Sequence, residues 1–444
     1  MDGWEAGEEG ALTFVHNISG ITSGSNFLFN GELFSTINLL NELSKKNNTR
    51  LLLYDDSHLR DDSFLGLLHS QVQKLVENTE VRIVHSRKEL TDSASGSSVL
   101  HFESPALALK QVQGKTLLEN AKQQDPSVQT VVALTHSFSA FKPENLNQTI
   151  EAVNKKKLDK VICLSNSSMQ SFVTGCAGFK EIAKKGRCAV IPRFVDRARY
   201  KPIKGRERRE LDELYSSAFG SPDIILVFQG KINKNKGAHH IAPLLKNVSG
   251  NGVKPALVFS GSCSSSEYGK KIISEVSSAC SENNIPLLFA KDLSKFVPPS
   301  EMSVSILSSE PPVKRNSSEF LSLVCAGTPL ASLFPFFWKP SVPTVSVLPH
   351  TWNEAFGRTA LESLSSGVPA IVGNTGGPSE TVEQDFSGKL VDTRKPNGAV
   401  PKSLAGALAE ILGDYNSFSK NALSSASRIQ PAEVAEDYLR QVSA

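Results

Sequence analysis

The sequence lacks any apolar run near the roughly 20 residues that a membrane-spanning helix requires. We also expect no secretory leader, because the first ten residues (MDGWEAGEEG) are acidic where a signal peptide has a basic and then an apolar region. We therefore expect a cytoplasmic protein, with peripheral contact to a membrane from one side as the alternative. In that setting the Asn-x-Ser/Thr triplets at Asn17 and Asn147 are chance matches to the glycosylation pattern.

A strong excess of one charge is also missing. The 444-residue chain carries 48 basic and 45 acidic residues, which leaves a formal charge of +3. This balance argues against a dedicated nucleic-acid-binding protein, whose surface would carry a larger basic excess. The six cysteines contain no C-x-x-C pair, and in a chain of this size they fit buried or free thiols of a reducing compartment.

Metal-binding patterns are the third absence. The sequence has no D-x-D triplet, no H-E-x-x-H and no Cys-rich zinc spacing. We therefore expect neither a metal requirement nor another cofactor.

What the sequence does contain is an alternation of short apolar segments with helical patterns. The strand-like segments are residues 12–15, 51–54, 81–84, 98–102, 130–134, 161–164 and 189–192 in the first half, and 224–228, 256–259, 286–289, 344–348 and 370–373 in the second. Short, wholly apolar strands separated by helices predict parallel sheets covered on both faces, an α/β fold.

The length suits two or three domains. We predict an N-terminal Rossmann-like domain over 1–200, a basic linker over 201–222, a second Rossmann-like domain over 223–420 and a C-terminal helix over 421–444. A Ser- and Pro-rich insertion at about 303–342 interrupts the second domain. Its aromatic cluster, 333–338, either packs on the domain or forms an exposed apolar patch for an acceptor, a partner or a membrane.

The most informative stretch lies between Glu354 and Glu380. Two carboxylates, Glu354 and Glu362, bracket a loop that enters a helix near Gly357 or Arg358. A strand then leads to a second turn and another helix. Helix entrances expose unpaired N–H groups, which suit phosphate and sugar hydroxyls. The order of parts predicts a binding crevice at the carboxyl ends of parallel strands.

This stretch resembles the nucleotide-sugar site of retaining GT-B glycosyltransferases, in particular glycosyltransferase family 4. That family has two Glu separated by seven residues with Phe-Gly just after the first, and Glu354, Phe356, Gly357 and Glu362 fit the pattern. The resemblance implies two doubly wound domains facing across a cleft. It also implies transfer of a sugar, with retention of configuration, from a UDP- or GDP-sugar to a hydroxyl group of a glycan, glycoconjugate or small molecule.

A lysine-rich loop after strand 224–228 is similar to the family segment whose Arg and Lys grip the pyrophosphate. Lys236 matches the family lysine, while Lys231 stands where most members carry Arg, so that a point charge replaces a bidentate group. The alternative for this loop, taken alone, is a solvated lysine surface.

The resemblance assigns roles to the carboxylates as well. Glu362 accepts hydrogen bonds from the nucleotide ribose, and Glu354 lies by the transferred sugar. The helix entrance at Phe356, Gly357, Arg358 and Thr359 offers N–H groups to the donor. Gly376 and Gly377 before Pro378 form a tight turn at a helix start, with ligand contact as the second interpretation.

The first half matches the family more weakly. His136 follows a strand at the place where family members carry a His-Asp-like pair. The resemblance implies that this histidine contacts the transferred sugar or the acceptor. Ser137 stands at the position of the Asp. The glycine loop 20–25, with Gly24, is a weak candidate for approach to the donor phosphates. Arg193 and Phe194 replace Asn-Gly in a segment that we assign to hinge structure alone.

The departures at Lys231, Ser137 and Arg193 motivate a second hypothesis from another class. The chain would then be a non-catalytic nucleotide- or sugar-binding protein that retains the GT-B fold. A third hypothesis is a membrane-surface enzyme that uses the basic run 206–209 or the aromatic residues 336–338.

Overall fold

The structure is a computed structural model, and it describes residues 10–18, 31–55, 62–109, 111–112, 114–136, 138–197, 200–202, 204–261, 267–291, 304–307, 341–396 and 398–443. The chain divides into two compact units. The N-terminal unit contains the first strand, residues 31–194 and residues 430–443, and the C-terminal unit contains residues 195–429. Gly24, Ser137 and nearly all of the predicted insertion lie outside the described residues.

The N-terminal unit is built on a parallel sheet of seven strands in the order β3-β2-β1-β4-β7-β8-β9. These strands are β1 (Ala11–Asn17), β2 (Thr49–Tyr54), β3 (Thr79–Val84), β4 (Ser97–Phe102), β7 (Gln129–Leu134), β8 (Lys160–Cys163) and β9 (Cys188–Val190). A separate antiparallel pair consists of β5 (Gln111–Val112) and β6 (Lys115–Thr116). The strand order reverses between β1 and β4, which is where doubly wound sheets open a crevice.

The helices of this unit flank the sheet. They are α1 (Gly31–Leu43), α2 (Asp62–Gln73), α3 (Arg87–Ser93), α4 (Pro105–Ala108), α5 (Leu117–Gln124), α6 (Pro143–Asn154), α7 (Asn166–Gly175), α8 (Ala177–Lys184) and the last helix of the chain, α16 (Pro431–Ser443). Local sequence sets several starts. Thr116 and Glu119 form a reciprocal capping box at α5, and the side chain of Ser165 accepts from the N–H of Ser168 at α7.

The C-terminal unit contains the second seven-stranded sheet, in the order β13-β12-β11-β10-β14-β15-β16. All its pairings are parallel except β12 with β13. The strands are β10 (Ile224–Gln229), β11 (Pro255–Gly261), β12 (Leu287–Lys291), β13 (Val304–Leu307), β14 (Thr344–Leu348), β15 (Ala370–Gly373) and β16 (Gly388–Val391). Strands covered on both faces need apolar residues throughout, and β10 is buried from Ile224 to Phe228.

The helices of the C-terminal unit are α9 (Gly205–Phe219), α10 (Ile241–Gly250), α11 (Glu267–Glu282), α12 (Arg358–Ser365), α13 (Pro378–Thr381), α14 (Ala399–Gly413) and α15 (Tyr415–Ser427). One continuous core joins β10, β11 and β14 to α10, α11 and α14. Within the described residues, no helix combines the length and apolar character needed to cross a bilayer.

All twelve predicted strands are present, and the pattern missed the short strands β5, β6, β13 and β16. The basic segment 201–222, predicted as a linker between domains, is helical over most of its length, as α9. Its charges are spaced for helical pairing, as the guanidinium of Arg208 lies 3.9 Å from the carboxylate of Asp212 one turn on, and Phe219 is buried.

The predicted C-terminal helix over 421–444 is two helices in two units. Helix α15 ends at Ser427, and α16 begins at Pro431. The fixed φ of proline suits the first position of a helix. Helix α16 belongs to the N-terminal unit because Tyr438 is fully buried there, with its hydroxyl 2.9 Å from Nδ1 of His101.

Candidate active site

The lysine loop after β10 is held in one shape by its own backbone and by the loop after β14. The N–H of Lys236 donates to Oδ1 of Asn233 at 2.9 Å. Gly237 has φ of +70°, and a Cβ there would lie 1.9 Å from the carbonyl oxygen of Pro349. Only glycine permits this approach, which presses the two loops together at the carboxyl ends of β10 and β14.

The loop after β14 is fastened to the lysine loop on the other side as well. The N–H of Thr351 donates to the carbonyl of Asn235 at 2.9 Å, and its hydroxyl donates to the carbonyl of Lys234 at 3.1 Å. These bonds place Glu354 beside Lys236, with 2.5 Å between the carboxylate oxygen and the ammonium nitrogen. The indole of Trp352 lies on another side of the same ammonium, 6.0 Å from its nitrogen to the ring centroid.

The turn Gly376-Gly377 packs directly on the backbone of the Glu354 loop. A Cβ on Gly376 would lie 2.5 Å from the backbone nitrogen of Glu354, and one on Gly377 would lie 2.5 Å from Cα of Phe356. The N–H of Gly377 also donates to the carbonyl of Glu354 at 2.7 Å. The two glycines therefore allow the turn to hold the backbone of the loop that carries Glu354.

Helix α12 begins where the sequence predicted, at Arg358. Its N-cap is Gly357 in the left-handed region, with φ of +83°, so the cap residue has no side chain to accept from the first turn. A Cβ on Gly357 would lie 2.2 Å from the ring of Pro378, so a larger residue cannot stand there. The open helix start leaves backbone N–H groups for a ligand.

A small pocket lies at this junction. Its walls are Phe228, Gln229, Lys236, Leu348, His350, Glu354, Gly357, Thr359, Ala360 and Pro378. Four predicted site residues, Lys236, Glu354, Gly357 and Thr359, therefore share one pocket at the carboxyl ends of β10 and β14.

The charge of Glu354 is set by opposing effects. Desolvation on burial raises the pKa of its carboxyl group, but the ammonium of Lys236, the neighbouring His350 and the hydrogen bond from Lys236 together lower it below its usual value. Glu354 is thus an ionised carboxylate at neutral pH. A cation and an anion face the same pocket.

The remaining predicted donor residues lie outside the pocket wall. Lys231 is exposed at the start of the loop. Phe356 is buried and anchors the loop. Glu362 is buried on α12, where its carboxylate lies 2.7 Å from Nε of Arg358. Their roles toward a donor stay predictions.

His136 belongs to the N-terminal unit and follows the carboxyl end of β7. Its ring is exposed, lies 3.1 Å from the hydroxyl of Thr135 through Nδ1, and meets Phe141 edge-on. The position at the strand end agrees with the sequence prediction, and the catalytic role stays a prediction.

Sequence reasoning missed His350, a buried residue of the pocket wall. Its ring nitrogens lie 2.9 Å from the carbonyl oxygens of Leu348 and Thr375, so the ring ties the end of β14 to the turn after β15. The available signal was its place, a polar residue immediately after a strand end.

Sequence reasoning also missed a buried ionic cluster in the N-terminal unit. Glu103, just after β4, accepts from the guanidinium of Arg193 at 2.6 Å and from the hydroxyl of Thr36 at 2.7 Å. The resemblance had assigned Arg193 only to hinge structure. No sequence signal connects residues 90 positions apart.

Comparison with known proteins gives a match in this part of the chain. A family model described as glycosyl transferases group 1 matches residues 343–425, which include the Glu354 loop, α12 and the Gly376-Gly377 turn. Comparison with curated protein sequences gives no match.

Several solved structures share the fold. HepE from Anabaena, in complex with UDP and glucose, has a TM-score of 0.65 and 14% identity, covering 98% of this chain and 100% of its own. A glycosyltransferase from Rickettsia africae has a TM-score of 0.64 and 13% identity, covering 97% and 98%. Sucrose-phosphate synthase from Thermosynechococcus elongatus has a TM-score of 0.61 and 14% identity, covering 97% and 98%. The α/β fold with two mainly parallel sheets therefore matches GT-B glycosyltransferase structures, and residues 343–425 match the glycosyl transferases group 1 model.

Proposed function

We propose that the protein transfers a sugar from a nucleotide-diphosphate sugar to a hydroxyl acceptor. The observation that carries this proposal is the pairing of Lys236 with Glu354 at a pocket beside an open helix start, within the matched domain. A diphosphate leaving group gains negative charge as the glycosidic bond breaks, and a fixed ammonium with N–H dipoles stabilises that charge.

The proposed step follows from these groups. The bond between the anomeric carbon and the diphosphate oxygen breaks, with its electron pair leaving on the oxygen. The acceptor oxygen forms the new bond to the anomeric carbon, and its proton passes to the diphosphate. Lys236 and the N–H groups of Gly357 and Thr359 meet the diphosphate, with Lys231 as a further cation. Glu354 orients the sugar, and its carboxylate stabilises positive charge at the anomeric centre.

The finer assignments are proposals as well. Retention of configuration, membership in glycosyltransferase family 4, a ribose contact by Glu362, and contacts by His136 and Gly24 rest on the resemblance. HepE has been solved with UDP-glucose and with UDP, which supports a UDP-sugar as the first donor to test. We expect no metal requirement, so a chelator should leave turnover unchanged. The acceptor is a glycan, a glycoconjugate or a small molecule, and peripheral membrane contact is a separate proposal.

The test is a turnover assay. Thermal-shift screening of UDP, GDP and their sugars selects the ligand, since a bound ligand raises the unfolding temperature. Release of nucleoside diphosphate from the selected donor is then measured with and without an acceptor panel. We expect release that increases with one acceptor and that falls in Lys236→Ala. Binding without release or transfer would favour the non-catalytic alternative, and no binding at all would contradict both.

A further inference from the structure

The carboxylate of Glu362 is a buried charge with an identified partner. The residue is 1% exposed, and its Oε1 lies 2.7 Å from Nε of Arg358, whose side chain is 17% exposed. Burial of an ionised carboxylate without a partner would cost several kcal/mol and would favour its protonated form. Arg358 therefore supplies this buried carboxylate with a cationic partner inside the unit.

Helix stability does not account for this pair. Arg358 is the first residue of α12, where the positive end of the helix dipole disfavours a cation. The order is also the weaker one, because an acidic residue four positions before a basic one stabilises a helix more than the reverse. The position of the pair is thus unfavourable for the helix. We attribute the presence of Arg358 there to the buried carboxylate that it pairs with.

The pair lies on the helix whose first turn contributes to the pocket wall. Arg358 stands between Gly357 and Thr359, and both of these line the pocket wall. A helical side chain leans toward the N-terminus of its helix and covers the turn before its own Cα. The carboxylate of Glu362 accordingly reaches back toward the helix start, where Arg358 meets it.

We propose that Arg358 is a positioning residue for Glu362, in that its guanidinium holds the carboxylate in place to accept the ribose hydroxyls of the donor. This inference rests on the proposed function, in which Glu362 contacts ribose. Arg358 acts through Glu362, whereas the resemblance gave it only a backbone N–H toward the donor. A merely structural ion pair would stabilise the fold without affecting recognition of ribose.

The experiment measures this difference by calorimetry with UDP and with 2′,3′-dideoxy-UDP, and with the GDP pair in parallel. The variants are Arg358→Met, Glu362→Gln and the double variant. Arg428→Met is the matched control, because Arg428 pairs with Glu383 at 2.7 Å in the same unit but is 60% exposed. Circular dichroism and the unfolding temperature of each variant establish that it is folded.

We expect the wild type to prefer the ribose form, because hydrogen bonds to a charged acceptor contribute strongly to binding. Arg358→Met should weaken binding of the ribose form about 10- to 100-fold and leave the dideoxy form nearly unchanged. Glu362→Gln should have the same effect, and the double variant should add little to it because the two residues act as a unit. Arg428→Met should match the wild type.

Three results would overturn the proposal, and they differ in what else they affect. If Glu362→Gln abolishes the ribose preference while Arg358→Met retains it, or if Arg358→Met weakens both nucleotides equally, the role of Arg358 is wrong and the proposed function stands. If the wild type binds neither UDP nor GDP, the proposed function fails as well.

Discussion

The ammonium of Lys236 lies 2.5 Å from the carboxylate of Glu354, although 118 residues separate them in the chain. The parallel arrangement of β10 and β14 brings them together, because both strands end at the same edge of the sheet. Glycines at 237, 376 and 377 then let the connecting loops approach at backbone distance. The pair is the centre of the proposed donor site.

Removal of the ammonium should reduce catalysis more than it reduces stability. We expect Lys236→Ala to lower kcat/KM about 100- to 1000-fold, since it removes a preorganised charge that stabilises the leaving group. Lys234→Ala is the matched control, because Lys234 is an exposed lysine of the same loop. Steady-state kinetics with the selected donor checks this, and equal losses in the two variants would contradict the role of Lys236.

The pH dependence of activity should report the pKa of Glu354. In the folded protein the pKa of Glu354 lies below its value in the unfolded chain. The stability that the ionised carboxylate contributes is therefore fully present at pH values above the unfolded pKa, and it is lost as the pH falls through the folded pKa. Lys236→Met removes the main lowering effect and leaves the desolvation that raises the pKa. The acid limb of the kcat/KM profile should therefore move to higher pH in that variant. An unmoved acid limb would assign the titration to another group.

The Gly376-Gly377 turn should tolerate no added methyl group. Gly377 has an ordinary φ of −58°, so Gly377→Ala introduces no backbone strain but places Cβ 2.5 Å from Cα of Phe356. We expect a lower unfolding temperature and lost nucleotide binding. Gly406→Ala in α14 is the matched control: its Cβ meets nothing within 4 Å, and the substitution should raise stability by about 0.5–1 kcal/mol. Similar effects at both positions would refute the packing argument.

The buried pair of Glu103 and Arg193 should be essential to the N-terminal unit. Arg193→Leu leaves the carboxylate of Glu103, which is 2% exposed, without its arginine partner, and loss of one partner of a buried pair costs about 3–5 kcal/mol. Arg82→Leu is the control, since Arg82 pairs with Glu80 at the surface, where substitutions change stability by about 0.5 kcal/mol or less. Urea unfolding measures both. A loss near zero for Arg193→Leu would show that the cluster relaxes or admits water.

Mild acid should destabilise the protein through buried histidine. Desolvation lowers the pKa of His101 from 6.5 to about 4, with Glu103 opposing and Arg193 adding to the shift. Between these values the unfolded chain binds a proton that the folded chain does not, so stability falls as the pH falls from 6.5 to about 4, by about 3 kcal/mol in total for this group. Burial also lowers the pKa of His240 to about 4, so this residue reduces the stability of the folded protein over the same pH range. Chemical denaturation across this range, with His101→Gln as comparison, should show a smaller slope in the variant.

The sequence predicted the features that depend on local pattern. Wholly apolar segments such as 224–228 gave the strands, and the spacing around Gly357 gave the start of α12. The strands that it missed are edge or accessory strands, such as β16 with Gly388 and Lys389, in which mixed polarity weakens the signal.

Part of the site could be predicted, because its residues follow strand ends and match a known pattern. Contacts between distant residues could not. Nothing local indicates that Arg193 meets Glu103 or that Tyr438 meets His101. These depend on how the sheet and its helices close, which periodicity does not encode.

The most direct test of the central claim is a crystal structure of the protein with bound UDP or GDP. The account predicts the β-phosphate within hydrogen-bonding distance of the Lys236 ammonium and of the N–H groups at the start of α12. A nucleotide bound elsewhere, or at this pocket with that ammonium turned away from the phosphates, would contradict it.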